Sequence, residues 1–462
     1  MSLRGLLGLL DPGASAGATD AGRFGDGIRR SLGQGGDVFH PGLRESCGEY
    51  GPYSVNHLNA LTGVGARSSE RGWFGFSRGR HRDKAVSHRP QHGYCPADQP
   101  DCLGHLLQHD LKGTRLGVVL YAGPMKVDLY FPPSPPDAAS ELARNAQSMG
   151  YDGFFSTETQ YDPFLPLAFA ADAAPGLELG TAIAVAFPRS PMVMAMTSWD
   201  LSRLSKGRFL LGLGTQIRAH ITRRFSTEWG SPGPRLRDYI LALRAIWDTW
   251  QNSTPLEYEG EFYKFSLMTP FFDPGPIPQP DIPVYIAGVG PYLSALAGEI
   301  CDGFHVHPFH TVAYLDEIVL PNMTRGAETA GRSMEDVERT TTVFVMTGES
   351  DSDVEQAMDP VRQQISFYAS TPSYKPVLEA SGWDFGDELH SMSKRGRWAE
   401  MADVVPDQAV LDVGVAAPIG KLSQAIKDRY GDRVQRVGFY TAGSGVSIEP
   451  DALGQVIADL QS

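Results

Sequence analysis

The chain has 462 residues, 42% of them apolar, and a formal net charge of −14. That is ample material for a large core, and no apolar run approaches the roughly 20 residues a membrane span needs. An acidic balance argues against nucleic acid as a partner, and four cysteines make no disulfide framework.

The charge is unevenly placed. Residues 1–124 carry 14 Lys+Arg against 11 Asp+Glu, and the remainder carries 26 against 43. The same 124 residues hold 23 of the 51 glycines and 7 of the 12 histidines. They show neither helical nor strand period, and such composition cannot bury enough apolar surface to offset chain entropy. A disordered, low-complexity extension is expected, with Met125 as the biological start and the upstream part a gene-model artefact. Cys95, Cys102, His92, His105 and His109 invite a zinc reading, but Cys-x6-Cys matches no common finger spacing, so no metal is expected. The run Gly5–Leu10 is shorter than the usual minimum of about 7 for a signal-peptide core, so reducing cytoplasm is expected.

From Met125 strands and helices alternate. Met125–Phe131 alternates apolar and polar as a first strand, and Pro136–Met149 is an amphipathic helix stopped by Gly150. Asp152–Glu158 is the next strand, followed by a helix from near Pro163. Leu177–Phe187 is a strand, Pro191–Leu204 a helix and Arg208–Gly214 the fourth strand. Around Arg235–Trp250 a helix places Leu236, Tyr239, Ile240, Leu243, Trp247 and Trp250 on one face. Leu256–Phe265 alternates like a hairpin turning at Glu259-Gly260. Pro283–Val289, Gly303–Phe309, Thr340–Thr347 and Gln435–Thr441 complete eight strands. Eight β/α alternations predict a closed (β/α)8 TIM barrel with insertions, in a domain spanning residues 125–462.

Polar residues gather where these strands end. Glu158, Thr159 and Gln160 fall at the barrel mouth. Glu158 reads two ways: a carboxylate that orients substrate or holds a proton, or a satisfied ion-pair partner. Gly180-Thr-Ala-Ile-Ala-Val-Ala-Phe-Pro-Arg-Ser-Pro offers small residues under a flat ligand, with Arg189 nearby, or is an ordinary strand with a proline stop. Gly212-Leu-Gly214 opens onto Thr215-Gln216. Gly288-Val289-Gly290 precedes the Tyr292–Ile300 helix, which suits phosphate binding or a plain tight turn. Neither glycine run is a full dinucleotide fingerprint. Arg218, Arg223 and Arg224 form a solvated charge run or meet an anionic cofactor tail. His305, His307 and Phe309 alternate on one face. Either histidine is structural, a proton-transfer group or, less well, a metal ligand, and His220 is equally ambiguous.

Glu158-Thr-Gln-Tyr-Asp-Pro-Phe-Leu-Pro-Leu, Gly180–Pro191, Gly212-Leu-Gly-Thr-Gln, Ala287-Gly-Val-Gly-Pro and Asp302-Gly-Phe-His-Val-His-Pro-Phe-His together resemble the luciferase-like monooxygenase superfamily, in its coenzyme F420-dependent oxidoreductase branch. The resemblance spans residues 125–462 and takes in nothing upstream. It implies an 8-hydroxy-5-deazaflavin across the mouth, backed by a non-proline cis peptide near Ala182-Ile183. Thr215 and Gln216 would line its ring or ribityl side, and Gly288, Val289 and Gly290 would hold its phosphate. The implied chemistry is hydride transfer to or from a small-molecule substrate. Sugar-phosphate dehydrogenases of the family carry Asp-His where this chain has Glu158-Thr159, so reduction fits better than alcohol oxidation. Glu158, Tyr161, His220 or His307 would then supply a proton, with Thr159 beside them. The rivals are a flavin mononucleotide (FMN)-dependent monooxygenase on the same barrel and a non-catalytic flavin-binding barrel. Specificity is expected in the variable loops Phe265–Asp281 and Tyr368–Arg397. A homodimer is an allowed assembly.

Overall fold

The computed structural model describes residues 124–441, 443 and 448–462. The expected N-terminal extension and its Cys/His cluster lie outside the described residues, save for Pro124 at the extension's end. Eight strands form the barrel: β1 Lys126–Phe131, β2 Gly153–Ser156, β3 Glu178–Thr181, β4 Phe209–Gly214, β5 Val284–Gly288, β6 Gly303–Val306, β7 Glu338–Met346 and β8 Arg436–Tyr440. Each pairs in parallel with the next, and β8 returns to β1 with Lys126 opposite Arg436, so the sheet is closed.

The helices that follow the strands are α1 Ala139–Ser148, α2 Leu165–Ala173, α3 Pro191–Ser205, α4 Pro232–Asn252, α5 Pro291–Ile300, α6 Leu320–Thr329, α7 Ile419–Tyr430 and α8 Pro450–Leu460. Their apolar faces pack on the outward strand residues, which alternate with inward ones. The expected stripe of α4 is buried throughout, from Leu236 to Trp250. Pro191 opens α3 behind Ser190, whose hydroxyl accepts the N–H of Val193. Among the described residues no helix is long and apolar enough to cross a membrane.

Three elements differ from the sequence expectation. The predicted third strand breaks after Thr181, and only Ala184–Val185 pairs again, with the end of β4. The hairpin is Tyr258–Glu259 with Lys264–Phe265, and it turns over residues 260–263 rather than at Glu259-Gly260. Buried Asp238 on α4 sets that turn, because its carboxylate accepts the N–H groups of Phe262 and Tyr263. Finally, residues 351–413 between β7 and α7 are largely helical, including Met358–Ala369, Lys375–Ala380 and Gly386–Lys394, where part of the segment reads as loop.

The inward residues form two layers. At the bottom, the wholly buried Arg436 forks onto Asp128 at 2.8 and 2.7 Å and also meets Glu178 and Glu338. Above it, Phe155, Leu210 and Tyr285 make a small apolar plug, joined by Tyr130 and Ala182. The lumen is filled, which leaves the strand C-termini as the place for a ligand.

Candidate functional site

The loop between Thr181 and Ala186 is anchored on both sides. On one side, the Ala182 N–H donates to the Ser156 carbonyl at 2.8 Å and the Glu158 N–H to the Ile183 carbonyl at 3.2 Å. On the other, the Ala186 N–H donates to the Gly214 carbonyl at 3.0 Å. The Thr181 hydroxyl donates to the Gly212 carbonyl at 2.7 Å. The Ala182-Ile183 peptide is cis.

Glu158 completes the anchorage. Only 8% exposed, its carboxylate accepts the Val185 N–H at 2.7 Å and takes Arg189 Nη1 at 2.8 and 3.0 Å. Arg189 also reaches Asp162 at 3.2 Å and lies over the Phe164 ring. Of the two sequence readings, the geometry is that of the ion-pair partner. Burial of Arg189 opposes its charge, but its bonds to Glu158 and Asp162 prevail and hold it charged. Such a charge-assisted pair is stronger than a neutral hydrogen bond.

The glycines of the Gly212–Gly214 run serve this loop. A Cβ on Gly212 would stand 1.8 Å from the Thr181 carbonyl oxygen, and one on Gly214 2.5 Å from the Ile183 side chain. Thr215 and Gln216 follow at the strand end, half-buried. Gln216 takes a positive φ of 54°, and its side-chain oxygen accepts the Ile217 N–H at 2.9 Å.

Gly290 caps α5 at φ 97°, with no atom within 4 Å of where a Cβ would stand. Its N–H is taken by the Tyr314 hydroxyl at 2.9 Å, and Pro291 has none. The donors left at this helix start are therefore those of Tyr292 and Leu293. Glycine at 288 is fixed by packing, since a Cβ there would meet Leu293 at 2.5 Å. Val289 packs against the core. Two donors with no other partner among the described residues suit one phosphate edge.

The remaining predicted residues separate. Thr159, Gln160, Tyr161 and His220 are exposed, and the Thr159 carbonyl accepts from Arg224. Arg218 and Arg223 are exposed beside them. No hydrogen bond or ring contact joins His220 to Glu158 or His307 among the described residues. Burial chiefly, then Arg224, lowers the His220 pKa. A shallow cleft at the ends of β1 and β2 includes Thr159 and Tyr161 in its wall.

Strand β6 ends at Val306, so His305 points into the lumen against Phe155 and Tyr285, while His307 stands one level higher. There His307 lies among Tyr368 and Tyr374, both from the helical insertion. Its Nδ1 accepts the Phe309 N–H at 3.1 Å, and its Nε2 lies 2.9 Å from the Tyr374 hydroxyl. The sequence reading placed this stretch among variable loops and did not single out Tyr374. Its neighbours Val361, Ile365 and Tyr368 at helical spacing carried the signal. No group of three or more His, Cys, Asp or Glu among the described residues is placed to hold a metal.

Burial lowers His305 and His307 to about 3 and His310 to about 4; Arg436 adds to the first and His310 to the second. Each ring is neutral in the fold, but in the unfolded chain it takes up a proton below about pH 6.5. The unfolded state therefore binds more protons between about pH 4 and 6.5, and stability falls as pH drops through that window. Near pH 5.5, unfolding is expected to take up about one proton per ring, a slope of up to about 1.4 kcal/mol per pH unit for each. Urea unfolding in steps from pH 7 to 5.5 checks this; a flat profile would reject it.

A family model for luciferase-like monooxygenase matches residues 115–440, starting upstream of the Met125 strand where the sequence resemblance begins. The chain is 45% identical over 302 residues to an uncharacterized protein of Mycobacterium tuberculosis, a match covering 65% of this chain and 88% of that one. It is 27% identical over 292 residues to an F420-dependent glucose-6-phosphate dehydrogenase of Amycolatopsis mediterranei, covering 59% and 83%. Among solved structures it resembles the coenzyme F420-dependent tetrahydromethanopterin reductase of Methanopyrus kandleri, with a TM-score of 0.60 and 19% identity over 73% of this chain and 98% of that one.

Proposed function

The chain belongs to the luciferase-like monooxygenase family, and from that premise we propose that it is a coenzyme F420-dependent oxidoreductase that reduces a small organic substrate. The observation that carries the proposal is the doubly anchored loop at residues 182–186, bonded at the strand ends by Glu158, Ser156 and Gly214. A relative whose name specifies F420 supports the choice of cofactor. When bound, the deazaflavin supplies the ring carbon that exchanges hydride with substrate.

The protein's residues divide the remaining work. Ala182 and Ile183 back the ring, Thr215 and Gln216 flank it, and Gly288, Val289 and Gly290 receive the phosphate. The exposed Arg218 and Arg223 are cations suited to an anionic tail. Glu158 positions the backing loop, with both carboxylate oxygens taken by Arg189 and one also by the Val185 N–H. Proton delivery falls to the groups around His307, with Thr159 and His220 as substrate contacts on the rim.

Titration of the full chain with F420 and, separately, with FMN tests the reading. Expected is micromolar or tighter F420 binding and at least about tenfold weaker FMN, a gap of about 1.4 kcal/mol. Tight FMN binding with oxygen consumption would establish the monooxygenase reading instead. Cofactor binding without hydride exchange to any acceptor would leave a binding barrel.

A further inference from the structure

The His307–Tyr374 pair fixes a proton direction. Nδ1 of His307 accepts the Phe309 N–H, so that nitrogen carries no proton. A neutral imidazole has a single N–H, which must then sit on Nε2. Nε2 lies 2.9 Å from the Tyr374 oxygen, so the histidine donates and the tyrosine accepts. The tyrosine's own proton must point elsewhere, and no acceptor for it occurs among the described residues. Burial raises the Tyr374 pKa, which keeps that proton in place.

The surroundings show what could accept it. Tyr374 is half-buried and packs edge-on to Phe309 and Tyr368. Phe309 also faces Trp383, and Phe344 on β7 stacks on Tyr440 at the end of β8. This aromatic wall spans the ends of β6, β7 and β8 and takes Tyr368, Tyr374 and Trp383 from the helical insertion. A hydroxyl donor with no acceptor among the described residues, in a wall made mostly of aromatic faces, selects a flat apolar ligand with an acceptor oxygen on one edge.

We propose that Tyr374 is the substrate-orienting hydrogen-bond donor of the mouth, held in that state by His307, and that the substrate is an aromatic or apolar molecule bearing a carbonyl-type oxygen. The inference rests on the oxidoreductase reading in taking the strand ends as the substrate site. His307 is then a positioning residue that acts through Tyr374.

The test compares menadione with 2-methylnaphthalene, which has a similar shape but no oxygen, by tryptophan fluorescence titration of the full chain without cofactor. The wild type is expected to favour the quinone. Tyr374→Phe is expected to weaken menadione about three- to tenfold, the worth of one neutral hydrogen bond, and to leave 2-methylnaphthalene unchanged. Nitrogen-15 spectra of histidine-labelled protein should show His307 as the Nε2–H tautomer. An unchanged quinone preference in Tyr374→Phe, or an Nδ1–H tautomer, would overturn the proposal. Neither measurement contains cofactor, so failure of F420 binding would sink the oxidoreductase reading separately.

Discussion

Replacing Glu158 with alanine is expected to lower affinity for the proposed deazaflavin about 100-fold, equivalent to about 2.7 kcal/mol. The substitution leaves the buried Val185 N–H without its acceptor and removes the principal anion of Arg189. An unmet buried donor costs about 1–3 kcal/mol, and hydrogen bonds to charged groups contribute about 1.5–3 kcal/mol. Both losses fall on the loop at 182–186, so the damage is expected first in cofactor binding and only partly in global stability. Glu158→Gln keeps an oxygen for Val185 and gives up the charge facing Arg189. It should retain affinity within about tenfold, because Asp162 still holds Arg189 at 3.2 Å.

The same pair of variants separates positioning from proton transfer. If Glu158 carried the proton, Glu158→Gln would abolish turnover, remove a limb of the pH profile and leave cofactor affinity intact. If Glu158 positions the loop, the glutamine variant keeps its pH profile, and the alanine variant loses affinity and turnover together. Cofactor titration and pH–rate profiles of both variants decide the matter.

How far the sequence discloses this site depends on the range of each interaction. The eight strands are legible because strand alternation is local, and it survives wherever one face meets helices and the other the lumen. The break after Thr181 is not legible locally. It follows from Glu158 and Gly214, 23 and 33 residues away from Thr181 in the chain, bonding the loop from either side. Glu158 itself stands out as a polar residue at a strand end, but its partner Arg189 lies 31 residues further on. Sequence therefore leaves acid and ion pair evenly matched. Gly212 and Gly214 draw attention for a reason other than the one first apparent: they admit the neighbouring loop, and a ligand is a further consequence. Tyr374 is least legible of all, since only the folded insertion brings it to His307, 67 residues earlier.

The largest effect on stability is expected at the opposite end of the barrel, where Arg436→Met should cost about 3–5 kcal/mol. Arg436 and Asp128 are both wholly inaccessible, and the arginine also serves Glu178 and Glu338. Burial opposes the arginine's charge, but Asp128, Glu338 and Glu178 together raise its pKa and keep it charged. Removing it leaves Asp128 buried with no cation. Lys126 cannot substitute, because it bonds Glu178 at 2.8 Å and stands 3.7 Å from Glu338, with no bond to Asp128. Lysine at 436 keeps the charge but loses the fork that binds both Asp128 oxygens, so Arg436→Lys should fall between wild type and methionine. Replacing both partners removes the orphaned charge, and Asp128→Leu with Arg436→Met should regain much of the loss. Urea unfolding of the three variants at pH 7 measures the order. A double variant less stable than Arg436→Met alone would mean that the ionic layer contributes net stability beyond avoiding an orphaned charge. Because the layer lies below the Phe155–Tyr285 plug, cofactor affinity of the folded fraction should stay unchanged in all three, which separates a stabilising base from a working mouth.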